Sequence, residues 1–128
     1  MILQCCCICH EDALAAMRGG MEQFTAQTGV GLEAEWFSGP SDLYQRIAAS
    51  PCQAVIVALP GAAGMEAATR AREILLDVPL VWCSDDRDFA IHSYRLKAAA
   101  FLELPVTEAQ VADALSRCLL KDKKKRRR

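Results

Sequence analysis

Three short, almost uninterrupted apolar runs do most to limit the folds open to this chain. They are ILQCCCI at Ile2–Ile8, AVIVAL at Ala54–Leu59 and LVWC at Leu80–Cys83. Each run is too short for an independent helix, and none shows the apolar–polar alternation of a strand with one wet face. Such runs are typical of strands in a parallel sheet that is covered on both sides.

Segments with helical periodicity separate these runs. Leu14, Met17, Met21 and Phe24 recur three or four residues apart, which predicts a helix that is ended by Gly29 and Gly31. The other predicted strands are Leu32–Phe37 and Ala99–Leu102. A second helix is predicted from Ser41 as N-cap through Ala49, and a loop at Pro60–Gly64 is predicted to precede a third helix. A fourth helix is predicted to begin within Ser84–Asp88 and to run to about Leu96, and a last helix, with a capping box of Thr107 and Gln110, to about Leu120.

Five strands that alternate with five helices predict an α/β domain with helices on both faces of a parallel sheet. The element count and the loop lengths fit a flavodoxin-like doubly wound (βα)5 fold, with a five-stranded sheet in the order 2-1-3-4-5. Ligands of such folds bind at the carboxyl ends of the central strands, so any functional site is expected there.

The chain divides by charge near its carboxyl end. Residues 1–120 contain 8 Lys+Arg and 15 Asp+Glu, a net charge of −7, whereas residues 121–128 contain 7 and 1, a net charge of +6. The composition, 52% apolar and 24% charged, is typical of a soluble globular protein and is too apolar for a disordered one. We therefore expect one domain over residues 1–120 and a basic disordered tail over residues 121–128.

The cysteines and the amino end both favour a cytoplasmic protein. The first apolar run meets His10-Glu11-Asp12 too early for a membrane span, and it has no basic leader before it. Four of the seven cysteines crowd into Cys5–Cys9, where neighbouring residues cannot easily link distant parts of a fold. Reduced thiols, a reducing compartment and no contact with a membrane are expected.

Several segments resemble the receiver domains of bacterial response regulators, in particular those of the LytTR type. Pro79–Val106, PLVWCSDDRDFAIHSYRLKAAAFLELPV, is similar in order and spacing to the receiver pattern P-I-I-F-x-T-A-x-D-E-Y-A-I-x-A-F-x-x-G-A-x-D-Y-L-L-K-P-V. Ile8–Asp12, ICHED, resembles I-V-D-D-E, and Phe37–Leu43, FSGPSDL, resembles F-S-S-G-E-E-L. The similarity covers nearly all of Ile2–Leu120 and leaves out only the basic tail.

By the same resemblance, essential parts of the phosphoryl-transfer site are missing. Ala54–Glu66 is similar to D-L-V-F-L-D-x-x-M-P-G-M-D-G, whose second Asp accepts the phosphoryl group, but Ala58 stands at that position and the following loop is about two residues shorter. A methyl group cannot be a nucleophile. The position of the family's lysine holds Leu104, and only the hydroxyl is retained, as Ser84.

The metal-binding end of that site is also altered. His10 and Glu11, with Asp12 next, fall where receivers have the acidic pair that holds Mg²⁺, an ion that prefers oxygen ligands. Leu104-Pro105 stands in the place of the family's cis Lys-Pro bond, so we predict a cis peptide bond. The resemblance thus implies a site without bound metal or cofactor.

These residues lead us to predict a degenerate, non-phosphorylatable receiver that is not an enzyme and acts by protein contacts in two-component-type signalling or transcription regulation. The resemblance implies a contact face on the fourth helix, fifth strand and fifth helix, for a homodimer or a partner regulatory protein. Its predicted contact residues are Phe89, Tyr94, Arg95, Phe101 and Arg117.

The basic tail supports an alternative function. Lys123–Arg128 is a run of six cations, which can neutralise nucleic-acid phosphates or anionic lipid but is most often just solvated. In LytTR-type regulators a linker and a DNA-binding domain follow the receiver, so DNA contact is expected either through the tail or through such a domain.

The cysteine cluster supports a third, weaker hypothesis, a thiol or metal site. Alternation along a strand sends Cys5, Cys7 and Cys9 to one face and Cys6 to the other, whereas a tetrahedral zinc site needs four converging ligands. We therefore favour core packing. An ion held by Cys9 or His10 with Glu11, Asp12 or Ser84 remains the alternative.

Overall fold

The computed structural model describes residues 2–120 as five strands and five helices in strict alternation. The predicted tail, residues 121–128, lies outside the described residues. The strands are β1 (Ile2–Cys9), β2 (Gly31–Phe37), β3 (Ala54–Ala58), β4 (Leu80–Ser84) and β5 (Ala100–Glu103). The helices are α1 (Glu11–Thr28), α2 (Pro40–Ala49), α3 (Gly61–Ile74), α4 (Ala90–Arg95) and α5 (Glu108–Leu119), and a 3-10 turn, Arg87–Phe89, precedes α4.

The strands form one parallel sheet in the order β2-β1-β3-β4-β5. This topology confirms the predicted doubly wound (βα)5 fold. The order reverses between β1 and β3, and their carboxyl ends meet at one edge of the sheet. Open α/β sheets bind their ligands at the carboxyl ends of the strands where the order reverses, and this edge is called the carboxyl edge below.

The sheet separates two apolar cores, and β1 contributes to both. Cys5 and Cys7 pack with Met17, Phe24 and Leu115 of α1 and α5 on one face. On the other face the core beneath α2 and α3 consists of Cys6, Ile8, Leu43, Ile47, Val55, Val57, Leu80 and Trp82, with smaller neighbours. The alternation predicted for the cysteines is therefore confirmed, and the buried ones serve as core residues.

Helices α1 and α5 approach each other closely because α1 carries two consecutive glycines. A Cβ atom at Gly19 would overlap the side chain of Glu108, and one at Gly20 would overlap Val111. The inner face of α1 is formed by Ala13, Met17, Met21 and Phe24, so that Leu14, predicted for this face, lies at its border and is only half-buried.

Several predicted boundaries are confirmed. Helix α1 ends at Gly29, whose φ of 77° is left-handed. Thr107 Oγ1 accepts a 3.1 Å hydrogen bond from the backbone nitrogen of Gln110, whose Oε1 accepts one of 2.9 Å from the backbone nitrogen of Thr107, which completes the capping box. The Leu104-Pro105 peptide bond is cis.

Two predicted helix starts and one predicted loop are wrong. Helix α2 begins at Pro40 after Gly39, not after Ser41, because the fixed φ of proline suits a first helical position. Pro60–Gly64 is not a loop: α3 begins at Gly61, and Gly64 lies buried against the Leu59 carbonyl. The acidic residues after Ser84 form a loop and the 3-10 turn, so that α4 begins only at Ala90.

Candidate functional site

The middle of the carboxyl edge is a row of three residues on neighbouring strands. Ala58 of β3 is paired in register with Cys9 of β1 and with Cys83 of β4. All three side chains belong to the core beneath α1 and α5, and Ala58 is 0% exposed. The backbone nitrogen of His10 donates a 2.9 Å hydrogen bond to the Ala58 carbonyl. The position that the resemblance assigns to a phosphoacceptor is thus a buried methyl group between two thiols.

A pocket of 270 Å³ opens at the carboxyl edge. Its lining residues are His10, Asp12, Ala13, Pro60, Asp85, Leu104, Pro105 and Val106. Five of these eight are apolar, while one imidazole and two carboxylates supply the polar groups. Such a lining favours a ligand with an apolar body and a basic end over a phosphate anion.

The His10 side chain caps the helix that follows it, α1. Its Nδ1 accepts a 3.2 Å hydrogen bond from the backbone nitrogen of Asp12, which caps the amino end of α1. The same Nδ1 lies 3.6 Å from Asp12 Oδ2, a distance that allows an ion pair with a protonated imidazole. The two roles exclude each other, because an Nδ1 that accepts a hydrogen bond carries no proton. We favour the cap, since the Asp12 side chain is 88% exposed and water would screen such a pair.

Asp85 belongs to the site although sequence reasoning did not single it out. Its Oδ1 accepts a 2.9 Å hydrogen bond from the backbone nitrogen of Gly61, the first residue of α3. Helix α3 has no acidic residue in its first turn and starts after Pro60, which has no side-chain acceptor. Asp85 therefore supplies the negative charge that a helix amino terminus favours. The available signal was an acidic residue directly after β4, in the loop that faces the start of α3.

Ser84 and Glu11 lie apart from the pocket lining. The Ser84 side chain is 0% exposed, and its Oγ accepts a 3.2 Å hydrogen bond from the backbone nitrogen of Asp86. Its carbonyl accepts a 2.8 Å bond from the backbone nitrogen of Leu104. Glu11 is exposed in the first turn of α1. Of the seven predicted site positions, the structure brings His10, Asp12, Leu104 and Pro105 together, with Ala58 and Ser84 in the sheet beneath.

The thiols beneath the pocket are held in their neutral form. Burial raises the pKa of Cys9 to about 11, and the Cys9 thiol donates a 3.3 Å hydrogen bond to the His10 carbonyl. Burial, with a smaller contribution from Cys9, raises the pKa of Cys83 to about 12. Neutral thiols are poor nucleophiles and poor metal ligands. Within residues 2–120, no three acidic, histidine or cysteine side chains are grouped as metal ligands are.

The predicted contact residues fall into an exposed set and a packed set. Tyr94 is 87% exposed, Arg95 and Arg117 are exposed, and Arg117 Nε lies 3.0 Å from Asp113 Oδ2. Ile91 of α4, which sequence reasoning missed, is 66% exposed.

Phe89 and Phe101 are half-buried, because both pack on Trp82. The ring centroid of Phe89 lies 5.7 Å from that of Trp82, and that of Phe101 lies 5.3 Å from it. Each ring is therefore only partly open to a partner.

Several solved structures with the same architecture are receiver domains or response regulators. The REC domain of AraT, a response regulator from Geobacillus stearothermophilus, matches with a TM-score of 0.75 at 14% identity over 98% of this chain and 99% of that one. A response regulator receiver domain protein from Clostridium thermocellum matches with a TM-score of 0.73 at 18% identity, over 95% and 98% of the two chains. HP1043, an orphan response regulator of H. pylori, matches with a TM-score of 0.71 at 12% identity, over 91% and 96%.

This chain has the receiver fold. At such low identity the likeness shows the fold alone, and the chain spans nearly the full length of these three receiver structures. No protein-family model and no curated protein matches the sequence. Among the helices of residues 2–120, none is both long and apolar enough to cross a lipid bilayer.

Proposed function

We propose that the chain is a pseudo-receiver of the LytTR type, a regulatory module that keeps the receiver fold, accepts no phosphoryl group and acts by protein contacts in signalling or transcription control. The observation that carries this proposal is Ala58. It ends β3 at the centre of the carboxyl edge, fully buried between Cys9 and Cys83. Phosphoryl transfer to protein needs a nucleophilic oxygen at the reacting point, and a methyl group offers none.

The surroundings of Ala58 support the same proposal. Transfer also needs cations that take up charge on the phosphoryl oxygens. Leu104 contributes an apolar wall of the pocket, His10 Nδ1 caps α1, and the Asp85 carboxylate caps α3. An anion that entered the pocket would meet carboxylates without a compensating lysine.

A receiver that cannot be phosphorylated acts by what binds its surface. The exposed Ile91 and Tyr94 of α4 offer apolar area, and the exposed Arg95 of the same helix adds positive charge. Arg117 of α5 is exposed as well and is paired with Asp113. Aromatic and arginine side chains are enriched at protein interfaces. This face supports either a homodimer or a partner regulatory protein.

The proposal is tested by supplying the protein with every component that phosphorylation of a receiver requires. The chain is incubated with Mg²⁺ and a small phosphodonor such as acetyl phosphate, and its intact mass is measured over time. A thermal melt with Mg²⁺ and beryllofluoride runs in parallel, because a ligand that binds the folded state raises the melting temperature.

We expect no added phosphate and no saturable stabilisation. A mass increase by one phosphoryl group that survives removal of the donor, or a saturable rise in melting temperature, would overturn the proposal. A receiver that can be phosphorylated, purified in the same way, serves as the positive control for both the phosphodonor and the beryllofluoride experiments.

A further inference from the structure

We propose that the pocket at the carboxyl edge binds a lysine or arginine side chain from residues 121–128 of a second copy of this chain. The inference rests on the proposed function, because a pocket that took up Mg²⁺ and a phosphoryl group would exclude a protein cation. On this proposal a basic side chain of a second copy occupies the pocket in place of a phosphoryl group.

The walls of the pocket fit the stem of a long basic side chain. Ala13, Pro60, Leu104, Pro105 and Val106 line its 270 Å³ with apolar surface. Lysine and arginine bury their methylene stems against apolar surface while the charged end reaches a polar group. A phosphate or a hydrated metal ion would gain nothing from these walls.

The polar residues of the pocket fit the charged end of such a side chain. Asp12, with 88% of its side chain exposed, and Asp85 carry the two lining carboxylates. Asp85 uses Oδ1 for the Gly61 backbone and has a second oxygen for another donor. His10 Nδ1 accepts the hydrogen bond from the Asp12 backbone nitrogen.

Residues that are close in sequence to the lining residues add further negative charge. Glu11, between the lining residues His10 and Asp12, is exposed, and so is Asp88, three residues after Asp85, whereas Asp86 is half-buried. The nearby cation Arg87 lies 3.6 Å from Glu103, so its charge is partly neutralised. Residues 1–120 carry a net charge of −7 and residues 121–128 a net charge of +6, which makes the tail the strongest complementary segment of the chain itself.

The distance between the end of α5 and the pocket favours a second copy over the same molecule. Cys118, near the end of α5, lines a groove with Pro79 and Ala99, which lie at the opposite end of the sheet from the pocket. Strand β1, with eight residues, spans about 26 Å along the sheet. Eight residues reach at most about 28 Å when fully extended, so within residues 121–128 only Arg128 could approach the pocket of its own molecule.

The groove that Cys118 lines is a poor competitor for a basic segment. It is larger, 660 Å³, but it is lined by Arg72 and Lys97 against a single carboxylate, Asp77. The basic tail meets like charge there and opposite charge at the carboxyl edge. Exchange of tails between two copies forms two equivalent contacts and a closed two-fold dimer.

Two full-length variants test the proposal by complementation. The pocket variant carries Asp12→Asn and Asp85→Asn, and asparagine keeps the acceptor for Gly61. The tail variant replaces each of the six cations of Lys123–Arg128 by glutamine. The association of labelled protein is measured for three pairings: tail variant with tail variant, pocket variant with pocket variant, and tail variant with pocket variant. Each pairing is measured at an ionic strength of about 0.01 M and of about 1 M, because the Debye length falls from roughly 30 to 3 Å between them.

Only the mixed pair combines an intact pocket with an intact tail. We expect it to associate at least about tenfold more tightly than either variant with itself at low salt, and this difference to vanish at high salt. A dimer through the α4 face uses neither the pocket nor the tail, so only the net charge of the variants could change its affinity, and it would do so as much in the charge-matched control below as in the pocket variant. A control with Glu22→Gln and Glu73→Gln, which loses the same charge far from the pocket, should associate like the unmodified chain.

Equal affinity in all three pairings would overturn the inference, and so would a loss of association in the control as large as in the pocket variant. A tail that binds DNA or anionic vesicles while the pairings stay equal would assign it to those partners instead. None of these outcomes bears on whether the protein accepts a phosphoryl group, which the mass and fluoride experiments decide separately.

Discussion

Asp85 and Gly61 are joined by a 2.9 Å hydrogen bond from the Gly61 backbone nitrogen to Asp85 Oδ1. The bond links the loop after β4 to the start of α3, so that two segments on either side of the pocket are held together. A carboxylate of the chain itself thereby satisfies one of the free N–H groups at a helix amino terminus.

We expect Asp85→Ala to destabilise the protein by about 1 kcal/mol, the usual loss when a helix cap is removed. Asp85→Asn, which keeps the acceptor, should cost less than half as much. Urea unfolding followed by circular dichroism measures both, with Asp88→Ala as the control for an acidic residue in the same loop. If Asp85→Ala and Asp88→Ala unfold at the same urea concentration, the cap contributes no stability.

Arg72 should be the most sensitive surface-accessible residue outside the two cores. Its guanidinium donates hydrogen bonds of 2.7 to 3.2 Å to five backbone carbonyls, those of Leu75, Leu76, Val78, Leu96 and Lys97. Burial lowers the pKa of Arg72. Because several carbonyls lose a charged donor at once, we expect Arg72→Leu to cost about 3 kcal/mol.

Lysine cannot replace this planar fork of donors. Arg72→Lys should therefore recover less than half of the stability lost in Arg72→Leu, and Arg70→Lys on the exposed side of α3 is the matched control. Full recovery by lysine would mean that charge alone, and not the fork, stabilises this corner.

Ala58→Asp should not restore a phosphoacceptor and should weaken the fold. The position is 0% exposed, so desolvation raises the pKa of the introduced carboxyl above its unfolded value. A raised folded pKa means that stability is retained below the unfolded pKa and lost as the pH rises through the folded pKa. We expect a loss of about 2 kcal/mol or more at neutral pH, and less near pH 4.

Ala58→Asn is the control, since it has the same size without an ionisable group. Its unfolding midpoint in urea should change little between pH 4 and pH 7 relative to the unmodified chain. A pH dependence of equal size in both variants would contradict a buried carboxylate at this position.

Gly20→Ala should destabilise the protein even though alanine is the better helix former. In an exposed helix the substitution would gain about 1 kcal/mol, but here the new methyl group overlaps Val111 across the α1–α5 contact. Overpacking of this kind costs about 1–3 kcal/mol. Thermal unfolding of Gly20→Ala, Val111→Ala and the double variant measures the coupling, and the double variant should be more stable than the sum of the single losses predicts. Strict additivity would show that the two helices are not in close contact at Gly20.

The buried thiols should make the fold sensitive to alkali. Burial raises the pKa of Cys5 and Cys6 to about 12, from an ordinary value of 9.0. Their contribution to stability is complete below pH 9 and is lost as the pH rises toward 12, because the unfolded chain ionises first. Urea midpoints at pH 8 and pH 10 should therefore differ, and Cys5→Ala should reduce that difference. If the difference in urea midpoint between pH 8 and pH 10 is the same in Cys5→Ala as in the unmodified chain, ionisation of the buried Cys5 thiol is not its cause.

Much of the fold was determined locally in the sequence. The run AVIVAL has no polar face, so it has to lie in the middle of a covered sheet, and β3 does so between β1 and β4. Gly29 ends α1, and Thr107 with Gln110 begins α5, because each motif satisfies backbone groups within a few residues of itself.

Only the tertiary structure decided what surrounds the pocket. Ala58 was visible in the sequence as a residue without reactive chemistry, but the sequence could not show that Asp85 caps α3 across the carboxyl edge, nor that His10 is committed to α1. It also could not place Phe89 and Phe101 on Trp82, which turned two predicted contact residues into half-buried ones. The physical reason is distance along the chain. Periodicity and caps depend on neighbours within one or two turns, whereas these contacts join residues that meet only after the sheet has assembled.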